Sequence, residues 1–411
     1  MKIVELKREQ FDEFAKYNQL TNYCQTTKYA IFMTNYGYEY DYIGYIDDNS
    51  NIVAAALILT KVLEGRTKYG YAPKGFLLNY FNKDLVKSFF TDLKKFYKRN
   101  GFVFIKFNPE ILIGRTDKAH KFQMGYSANT AIMDDFKKLN VKRRIELKEF
   151  DLLEPKMTAF INLKQYSINS IHRQFRKKIR KSTTKGLRLT VGDAKDIEIL
   201  YSMMEGKTKK PLAYYRDLYN VFSKDNSIEL VFIQVDYQQY LARTREIFDE
   251  EQEKNDDINL AFLENPKIYA QKVNSDKRLL AYKNDILNAT EGLKKNPSAI
   301  VAGALVIKHF NRVTIIASGY NNDFKKLNPN HFLYHSICER YKPYFDYCDL
   351  YGVTGDWSEN SKYFGLNHFK LKFNPTIYEF IGELDLICND WLHRKLSKTD
   401  AIEREFARFQ Y

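Results

Sequence analysis

The chain has 411 residues, of which 44% are hydrophobic, and this is enough apolar material for two or three folded units without disulfide bridges. Lysine and arginine outnumber aspartate and glutamate by 65 to 51, a net charge of +14, which favours polyanionic partners such as nucleic acid or an anionic membrane surface. No apolar run approaches the roughly 20 residues that cross a bilayer, and the four cysteines form no CxxC pair. We therefore expect a cytoplasmic protein with unpaired thiols.

The first part of the chain alternates helical and strand patterns, which predicts an α/β unit over residues 1–150. The predicted elements are helices at 9–17 and 84–100 and strands at 42–46, 52–62 and 102–107. The last of these strands is expected to stop at Asn108-Pro109, because proline cannot donate a hydrogen bond to a neighbouring strand.

A second cycle with a related layout begins after residue 150. Its predicted elements are helices at 169–183, 197–205 and 212–222 and strands at 229–236, 298–308 and 313–317. The pattern predicts a second α/β unit made of residues 151–235 and 298–390, followed by a C-terminal helix at 391–411.

The segment 236–297 differs in composition from both units. It holds twelve acidic and ten basic residues, and apolar residues recur at seven-residue spacing in its second half, as at Leu280 and Leu287. Asn265-Pro266 interrupts the helical pattern midway. These features predict an antiparallel coiled-coil hairpin that projects from the second unit, with a partly disordered charged insert as the alternative.

Positive charge is concentrated in residues 155–192, which contain ten lysines and arginines and no acidic residue. This density is too high for one helical face, so the stretch is either a solvated surface or a phosphate-binding one. Tyr166 and Phe175 lie within it, and single-stranded RNA ends are recognised by such mixtures of stacking and charge. We therefore predict contacts to RNA phosphates by Arg173, Arg176, Lys177, Lys178, Arg180 and Lys181.

Three apparent cofactor or metal signatures fail on spacing. Gly206-Lys207-Thr208 resembles the end of a P-loop, but Tyr201 stands where the first glycine is required. His331 and His335 lack the glutamate of a zinc-binding HExxH helix, which favours structural histidines. No glycine-rich loop suited to the pyrophosphate of coenzyme A occurs in the sequence. We predict no metal and no cofactor.

Near the C-terminus, Phe369, Leu371 and Phe373 alternate with Lys370 and Lys372. Alternation with a period of two predicts a strand whose lysines lie on the face opposite the apolar side chains. A lysine on that face would be available to meet negative charge that develops in a reaction.

Several short motifs in this order resemble those of the Fem (FemABX/MurM-like) family of peptidoglycan aminoacyltransferases, over essentially the whole chain. The motifs are Tyr71-Ala72-Pro73-Lys74-Gly75, Phe107-Asn108-Pro109, the basic run 176–181 before Lys185-Gly186, the charged insert, Tyr351-Gly352-Val353, Phe369-Lys370 and the stretch 378–383. The resemblance implies an α/β (α+β) fold with two acetyltransferase-like (GNAT-like) subdomains and an inserted antiparallel coiled-coil hairpin. It also implies aminoacyl-tRNA as the donor and an amine of a muropeptide precursor as the acceptor. With this donor, the six cationic residues predicted to contact RNA become the expected tRNA-binding residues.

The resemblance also implies roles for single residues. The lysine of the Phe-Lys motif stabilises reaction charge in the family, which implies a catalytic role for Lys370, with Phe369 shaping the pocket. Two positions depart from the family pattern. Asn108 stands where an aspartate is common, and an amide cannot accept a proton as a base, so the base is unassigned. Met33 stands where a lysine contacts the acceptor diphosphate.

Three further residues resemble those that bind the diphosphate of the acceptor in the family: Thr208, Lys210 and Tyr214. Lys210 replaces an arginine, which gives a point charge instead of a planar bidentate fork. A helix N-terminus with proline in its first turn is the alternative explanation for Thr208 and Pro211.

The resemblance therefore predicts a tRNA-dependent aminoacyltransferase that acts on a stem-peptide lysine or a bridge residue of lipid II or another muropeptide precursor. Because the aminoacyl ester is already activated, positioning and oxyanion stabilisation suffice for the reaction. Expected partners also include the inner face of the cytoplasmic membrane and other bridge-forming Fem-type transferases. The alternatives are an acyl-CoA-dependent small-molecule N-acyltransferase and a non-catalytic RNA-binding or scaffold protein.

Overall fold

The computed structural model describes residues 1–63, 67–116, 122–124, 127–143, 153–206, 208–399, 401–402 and 404–405. The first part of the chain contains β1 (Lys2–Glu5), α1 (Arg8–Tyr17), α2 (Thr27–Thr34), β2 (Glu39–Ile46), β3 (Ile52–Val62), β4 (Lys68–Ala72), β5 (Leu77–Leu78), α3 (Lys83–Arg99), β6 (Phe102–Phe107), β7 (Leu112–Thr116), β8 (Phe122–Met124), α4 (Ser127–Lys138) and β9 (Val141–Arg143).

The second part contains β10 (Met157–Asn162), α5 (Arg173–Thr183), β11 (Leu187–Gly192), α6 (Ile197–Met203), α7 (Leu212–Phe222), β12 (Ile228–Asp236), α8 (Tyr237–Glu264), α9 (Tyr269–Lys295), β13 (Ser298–His309), β14 (Arg312–Tyr320), α10 (Pro329–Tyr341), β15 (Tyr347–Val353), α11 (Phe364–Leu371), β16 (Thr376–Phe380), β17 (Leu384–Ile387) and α12 (Asp390–Lys398). Residues 400, 403 and 406–411 of the predicted C-terminal helix lie outside the described residues. Among the helices that are described, none is both long enough and apolar enough to cross a membrane.

Helix α3 illustrates how local sequence determines these elements. The Asn82 side chain accepts a hydrogen bond from the Leu85 amide at 3.0 Å and so caps the first turn. Leu85 and Leu93 are buried on one face of the helix. Gly101 follows the helix with a φ of +83°, a conformation that favours glycine. The helix predicted at 84–100 is confirmed.

The strands form two sheets, and each sheet contains strands from both parts of the chain. The first has the order β1-β2-β3-β4-β6-β17-β9, with β5 beside β3, and the second has the order β11-β12-β13-β14-β15-β10-β16-β7-β8. β7 and β8 extend the second sheet although they precede residue 150, and β17 lies between β6 and β9 in the first. Each part of the chain therefore contributes strands to both sheets.

One pair of neighbouring strands in the second sheet is parallel and short. β14 and β15 pair only between residues 312–314 and 347–349. Beyond Asp349, β15 remains paired on its other side with β10, where Thr158 lies opposite Gly352. Among the strands that the structure describes, the end of β15 is thus paired with one neighbour only.

A shared apolar core joins the two parts through α2 and α7. The ring centroids of Phe32 and Tyr214 lie 5.1 Å apart, and those of Tyr23 and Phe222 lie 6.3 Å apart. Met33 is only 1% exposed in the same core. Met33 therefore packs against protein side chains and is not available to a ligand.

The predicted helical hairpin is formed by α8 and α9. The seam between the helices is partly polar, because Glu251 accepts a hydrogen bond from Ser275 at 3.4 Å and pairs with Arg278 at 2.7 Å. Leu280 and Leu287 are instead 60% and 55% exposed, so these two leucines, which follow the seven-residue spacing, face outwards. Supercoiling of the pair stays a prediction.

The strand predicted around residues 369–373 is wrong, because residues 364–371 form the helix α11. The Phe369 and Phe373 rings lie 5.4 Å apart, and a separation of four residues places side chains on one face of a helical turn. The spacing of Phe369 and Phe373 is therefore compatible with a helical turn as well as with a strand. Lys370 consequently does not lie on a solvent face opposite the apolar residues.

Candidate active site

A buried charged cluster lies where the two sheets meet. Glu110 accepts hydrogen bonds from Arg312 at 2.7 Å and from Asn22 at 3.1 Å, and the Lys74 ammonium is 3.8 Å from its carboxylate. Burial raises the pKa of Glu110, but Arg312 and Lys74 outweigh it and hold that pKa below its usual value. This carboxylate is therefore ionised at neutral pH, and its ion pair with Arg312 links the two sheets.

Asn108 holds the turn that carries Lys74. Lys74 has a left-handed φ of 56°, and its backbone amide donates to the Asn108 side-chain oxygen at 2.8 Å. The two residues line one small cleft with Glu154 and Glu383. Asn108 thus has a structural partner, and its amide supplies no base.

Lys370 lies in the last turn of α11 and is only 4% exposed. Its ammonium donates a hydrogen bond to the Gly352 carbonyl at 2.7 Å, so its partner is neutral. Burial lowers the pKa of Lys370 to about 7, while the nearby Asp349 charge acts in the opposite direction. A lysine of this kind can stabilise an oxyanion as an ammonium and can also exchange a proton near neutral pH.

Phe369 connects Lys370 to the basic helix α5. Its ring centroid lies 5.5 Å from Phe175 of α5 and 5.0 Å from Tyr334 of α10. In addition, the His172 amide donates to the Lys372 carbonyl at 3.0 Å. The helices α5 and α11 are therefore in direct contact.

Helix α5 carries the predicted tRNA-binding residues on its outer face. Phe175, Ile179 and Ser182 are buried, whereas the basic side chains lie outwards. The cationic residues of this face are Arg173, Arg176, Lys177, Lys178, Arg180 and Lys181. Within the described residues, none of them forms an ion pair with a carboxylate, and Arg176 and Arg180 donate only to Asn169, at 3.2 and 3.4 Å. These charges remain available to phosphate.

Lys185 belongs to the same basic stretch but has a different role. Its ammonium pairs with Asp285 of α9 at 2.7 Å, and Asp285 also accepts a hydrogen bond from Tyr240 of α8 at 2.9 Å. Burial lowers the pKa of Lys185, and Asp285 opposes that shift. This contact fixes the base of the hairpin beside the C-terminal end of α5.

Thr208, Lys210 and Tyr214 lie together ahead of and within the first turn of α7. The Thr208 hydroxyl is 2.7 Å from that of Tyr215 and accepts a hydrogen bond from the Lys210 amide at 3.1 Å. Pro211 is the N-cap residue directly before the helix and does not lie in its first turn, and Thr208 does not cap the helix. The Lys210 ammonium lies 5.2 Å from the centre of the Tyr214 ring, so the three residues share one surface.

The two histidines of α10 contact protein groups. Tyr166 and His335 share a hydrogen bond of 2.8 Å, and the His331 ring lies 4.3 Å from that of Phe175. In the ranges that the structure describes, no group of three or more metal-ligating side chains occurs.

Sequence reasoning missed Glu154. Its carboxylate accepts a hydrogen bond from Tyr351 at 2.8 Å and lies 3.9 Å from the Lys74 ammonium. Tyr351 is 197 residues away in the chain, so no local pattern could have identified the contact. The one signal in the sequence is that Tyr351 and Lys74 both belong to the short motifs that resemble those of the Fem family.

The chain is similar to several known proteins over most of its length. It is 26% identical to the aminoacyltransferase FemA of Staphylococcus epidermidis, and the aligned region covers 93% of this chain and 95% of FemA. It is 21% identical to the lipid II:glycine glycyltransferase of Staphylococcus aureus (strain MRSA252), and the aligned region covers 97% of this chain and 96% of that relative. Its fold is similar to that of the crystal structure of FemX, with a TM-score of 0.76, 18% identity and coverage of 96% of this chain and 100% of that chain.

These likenesses agree with the fold described above, and they confirm the mixed α/β class predicted from the sequence. The sequence profile of the FemAB family matches residues 6–398. Because that match spans nearly the whole sequence, the chain belongs to the FemAB family.

Proposed function

We propose that this protein transfers an amino acid from aminoacyl-tRNA to a primary amine of lipid II and so extends the interpeptide bridge of peptidoglycan. In this reaction the amine nitrogen attacks the ester carbonyl, a C–N bond forms, and the C–O bond to the tRNA ribose breaks. The reacting ester is already activated, so the enzyme has to orient the two substrates and stabilise the tetrahedral oxyanion.

The observation that carries the proposal is the burial of Lys370. Its ammonium lies in a dry environment, where a charge stabilises an oxyanion more strongly than in water, and its pKa of about 7 also allows it to give a proton to the departing ribose oxygen. Phe369 packs beside it and forms the wall towards α5. The aminoacyltransferases among the relatives support this choice of reaction.

The donor is proposed to bind along α5, whose unpaired cations match the phosphates of a tRNA acceptor stem. The acceptor diphosphate is proposed to bind at Thr208, Lys210 and Tyr214 on the other side of the site. Burial lowers the pKa of Lys210, and the negative charge of a bound diphosphate would raise that pKa again. The relative that acts on lipid II supports this acceptor.

Lipid II is membrane-bound, so the proposal includes a cytoplasmic protein that works at the inner face of the membrane. It also includes other bridge-forming Fem-type transferases as partners, since a bridge that contains several residues requires successive transfers.

The test is incubation of the protein with lipid II and a mixture of charged tRNAs, followed by mass analysis of the muropeptide. We expect an increase equal to one or more amino-acid residues, which also identifies the amino acid. Parallel reactions with uncharged tRNA plus free amino acids, and with acyl-CoA instead of tRNA, should give no increase. A product only with acyl-CoA would replace this proposal by a small-molecule acyltransferase, and tRNA binding without any product would indicate a non-catalytic RNA-binding protein.

A further inference from the structure

Glu154 is a buried carboxylate with few partners, at the centre of the junction between the two sheets. Its side chain is 11% exposed. One oxygen accepts the Tyr351 hydrogen bond at 2.8 Å, and the Lys74 ammonium, at 3.9 Å, is beyond hydrogen-bond distance. Glu110, by contrast, is bonded by both Arg312 and Asn22. Of these two neighbouring carboxylates, Glu154 retains capacity to accept another donor.

The surroundings of Glu154 are rich in tyrosine. The titratable groups that interact with it from the packed elements are Cys24, Tyr23, Tyr29, Tyr71, Lys74, Glu110, Lys210, Tyr214, Tyr351 and Glu383. Burial raises the pKa of the five tyrosines, and the charge of Glu154 raises it further. A carboxylate surrounded by aromatic rings is an environment that attracts an organic cation.

The position of Glu154 links the two proposed substrate regions. On one side its charge acts on Lys210 and Tyr214 of the acceptor surface. On the other side its partner Tyr351 directly precedes Gly352, whose carbonyl holds the Lys370 ammonium. A group bound at Glu154 therefore lies between the acceptor-binding surface and the lysine that we propose stabilises the oxyanion.

We propose that Glu154 binds the primary ammonium of the acceptor and then removes its proton, which makes the amine a nucleophile. The inference rests on the proposed function and supplies the base that Asn108 cannot provide, since an amide accepts no proton and the Asn108 oxygen is already bonded to the Lys74 amide. The proton passes from nitrogen to the Glu154 carboxylate, nitrogen forms the new amide bond, and the ester C–O electrons leave with the ribose oxygen. That oxygen takes its proton from Lys370. The nitrogen loses a second proton as the amide forms, and this proton restores the Lys370 ammonium, while the proton on Glu154 is released to water.

The environment suits this role. Burial raises the pKa of Glu154, and Glu110 and Glu383 add to that effect, while Lys74 and the Tyr351 hydrogen bond oppose it. A carboxylate with a raised pKa is a better proton acceptor than an exposed one, because the most efficient general bases titrate near the working pH. The acid side of the pH–rate profile should therefore report the titration of Glu154.

Transfer rates of Glu154→Gln, Glu154→Asp and the wild-type protein over a range of pH test the proposal. Glu154→Gln should lower kcat about 100-fold and remove the acid limb of the profile, whereas Glu154→Asp should retain the limb with intermediate activity. Glu229→Gln is the matched control, because Glu229 is a partly buried carboxylate bonded to Arg340 and Tyr341 elsewhere in the second sheet, and it should keep the wild-type profile. An unaltered acid limb in Glu154→Gln would overturn the proposal.

A second variant protects the test against misfolding of Glu154→Gln. Tyr351→Phe leaves the carboxylate in place but removes the hydrogen bond that lowers the pKa of Glu154, so the acid limb should move to higher pH. A structural role for Tyr351 would lower the rate without moving the limb, and that result would count against the proposal.

A binding measurement separates this inference from the proposed function. Calorimetry would compare a lysine-containing stem-peptide muropeptide with the same muropeptide acetylated on its side-chain amine. Wild-type protein should prefer the free amine, and Glu154→Gln should lose that preference. If wild-type protein transfers amino acids but binds both probes equally, Glu154 is not the ammonium site. If it neither transfers nor binds either probe, the proposed function itself is wrong.

Discussion

The buried lysine of α11 and the exposed cations of α5 have the same formal charge but differ in solvent exposure and in their hydrogen-bond partners. Lys370 is 4% exposed and donates to one carbonyl, and its pKa is lowered to about 7. The α5 residues Arg173, Lys177 and Lys181 are exposed on a helix whose buried face packs on the second sheet. The rings of Phe175 and Phe369 connect the two regions at 5.5 Å.

This difference shows that a count of positive charges does not distinguish binding from chemistry. Exposed cations attract phosphate at a distance, so they affect substrate capture. A buried cation acts only on a group that enters its site, and for Lys370 burial lowers the pKa to about 7. The following variants are expected to separate the two behaviours.

The largest effect is expected for Lys370→Met, which keeps the apolar stem and removes the ammonium. Loss of one oxyanion-stabilising group lowers kcat about 100- to 1000-fold, and the KM for tRNA should change little. In the wild type, the rate should fall as the pH rises through about 7, because the ammonium of Lys370 is then lost. Steady-state kinetics over pH would measure both, and a kcat within a factor of two of wild type would remove Lys370 from the mechanism.

The next effect concerns Lys185, the buried cation of the basic stretch. Asp285→Ala removes its carboxylate partner and should lower the free energy of unfolding by about 1–3 kcal/mol, because a partly buried charge loses its hydrogen bond. Asp285→Asn is the matched control, since its amide oxygen can still accept from the ammonium, and it should lose less. Urea unfolding would compare them, and equal stabilities for Asp285→Ala and wild type would contradict the assignment.

A smaller effect is expected from the exposed face. The double variant Lys177→Ala/Lys181→Ala should raise the KM for tRNA about tenfold at low salt and flatten its dependence on salt, because two phosphate contacts are lost. Its kcat at saturating tRNA should be unchanged. Lys177→Arg/Lys181→Arg retains the charges and should behave like the wild type. A salt dependence identical in all three proteins would show that tRNA binds elsewhere.

The smallest effect is a change in pH dependence. Asp349→Asn keeps the oxygen that accepts from the Tyr351 amide at 2.8 Å but removes the charge that raises the pKa of Lys370. The fall in rate with increasing pH should therefore begin at a lower pH than in the wild type. If the pH at which the rate falls stays the same or becomes higher, the fall is not caused by the titration of Lys370.

The hairpin and α11 show where sequence reasoning succeeds and fails. The hairpin was predictable because its signals are local: balanced charge and the break at Asn265-Pro266 between two strands of one sheet. α11 was not, because Phe369 and Phe373 fit both a strand and a helical turn. The choice is made by Phe175 and Tyr334, which reach Phe369 from distant segments.

The candidate site divides in the same way. The motifs predict Lys370 and the Thr208–Tyr214 stretch as candidate site residues, since each lies in a short recognisable pattern. The burial of Lys370 and the carboxylate of Glu154 were not predictable, because both depend on contacts across the sheet junction. The Lys370–Gly352 and Glu154–Tyr351 hydrogen bonds join residues 18 and 197 positions apart.

The central claim, that the buried lysine performs chemistry while the exposed helix captures the donor, is tested most directly by single-turnover transfer from charged tRNA to lipid II at saturating tRNA. The account predicts a rate constant reduced about 100-fold or more for Lys370→Met and a wild-type rate constant for Lys177→Ala/Lys181→Ala. A wild-type rate constant for Lys370→Met, or a reduced one for the α5 variant at saturation, would contradict it.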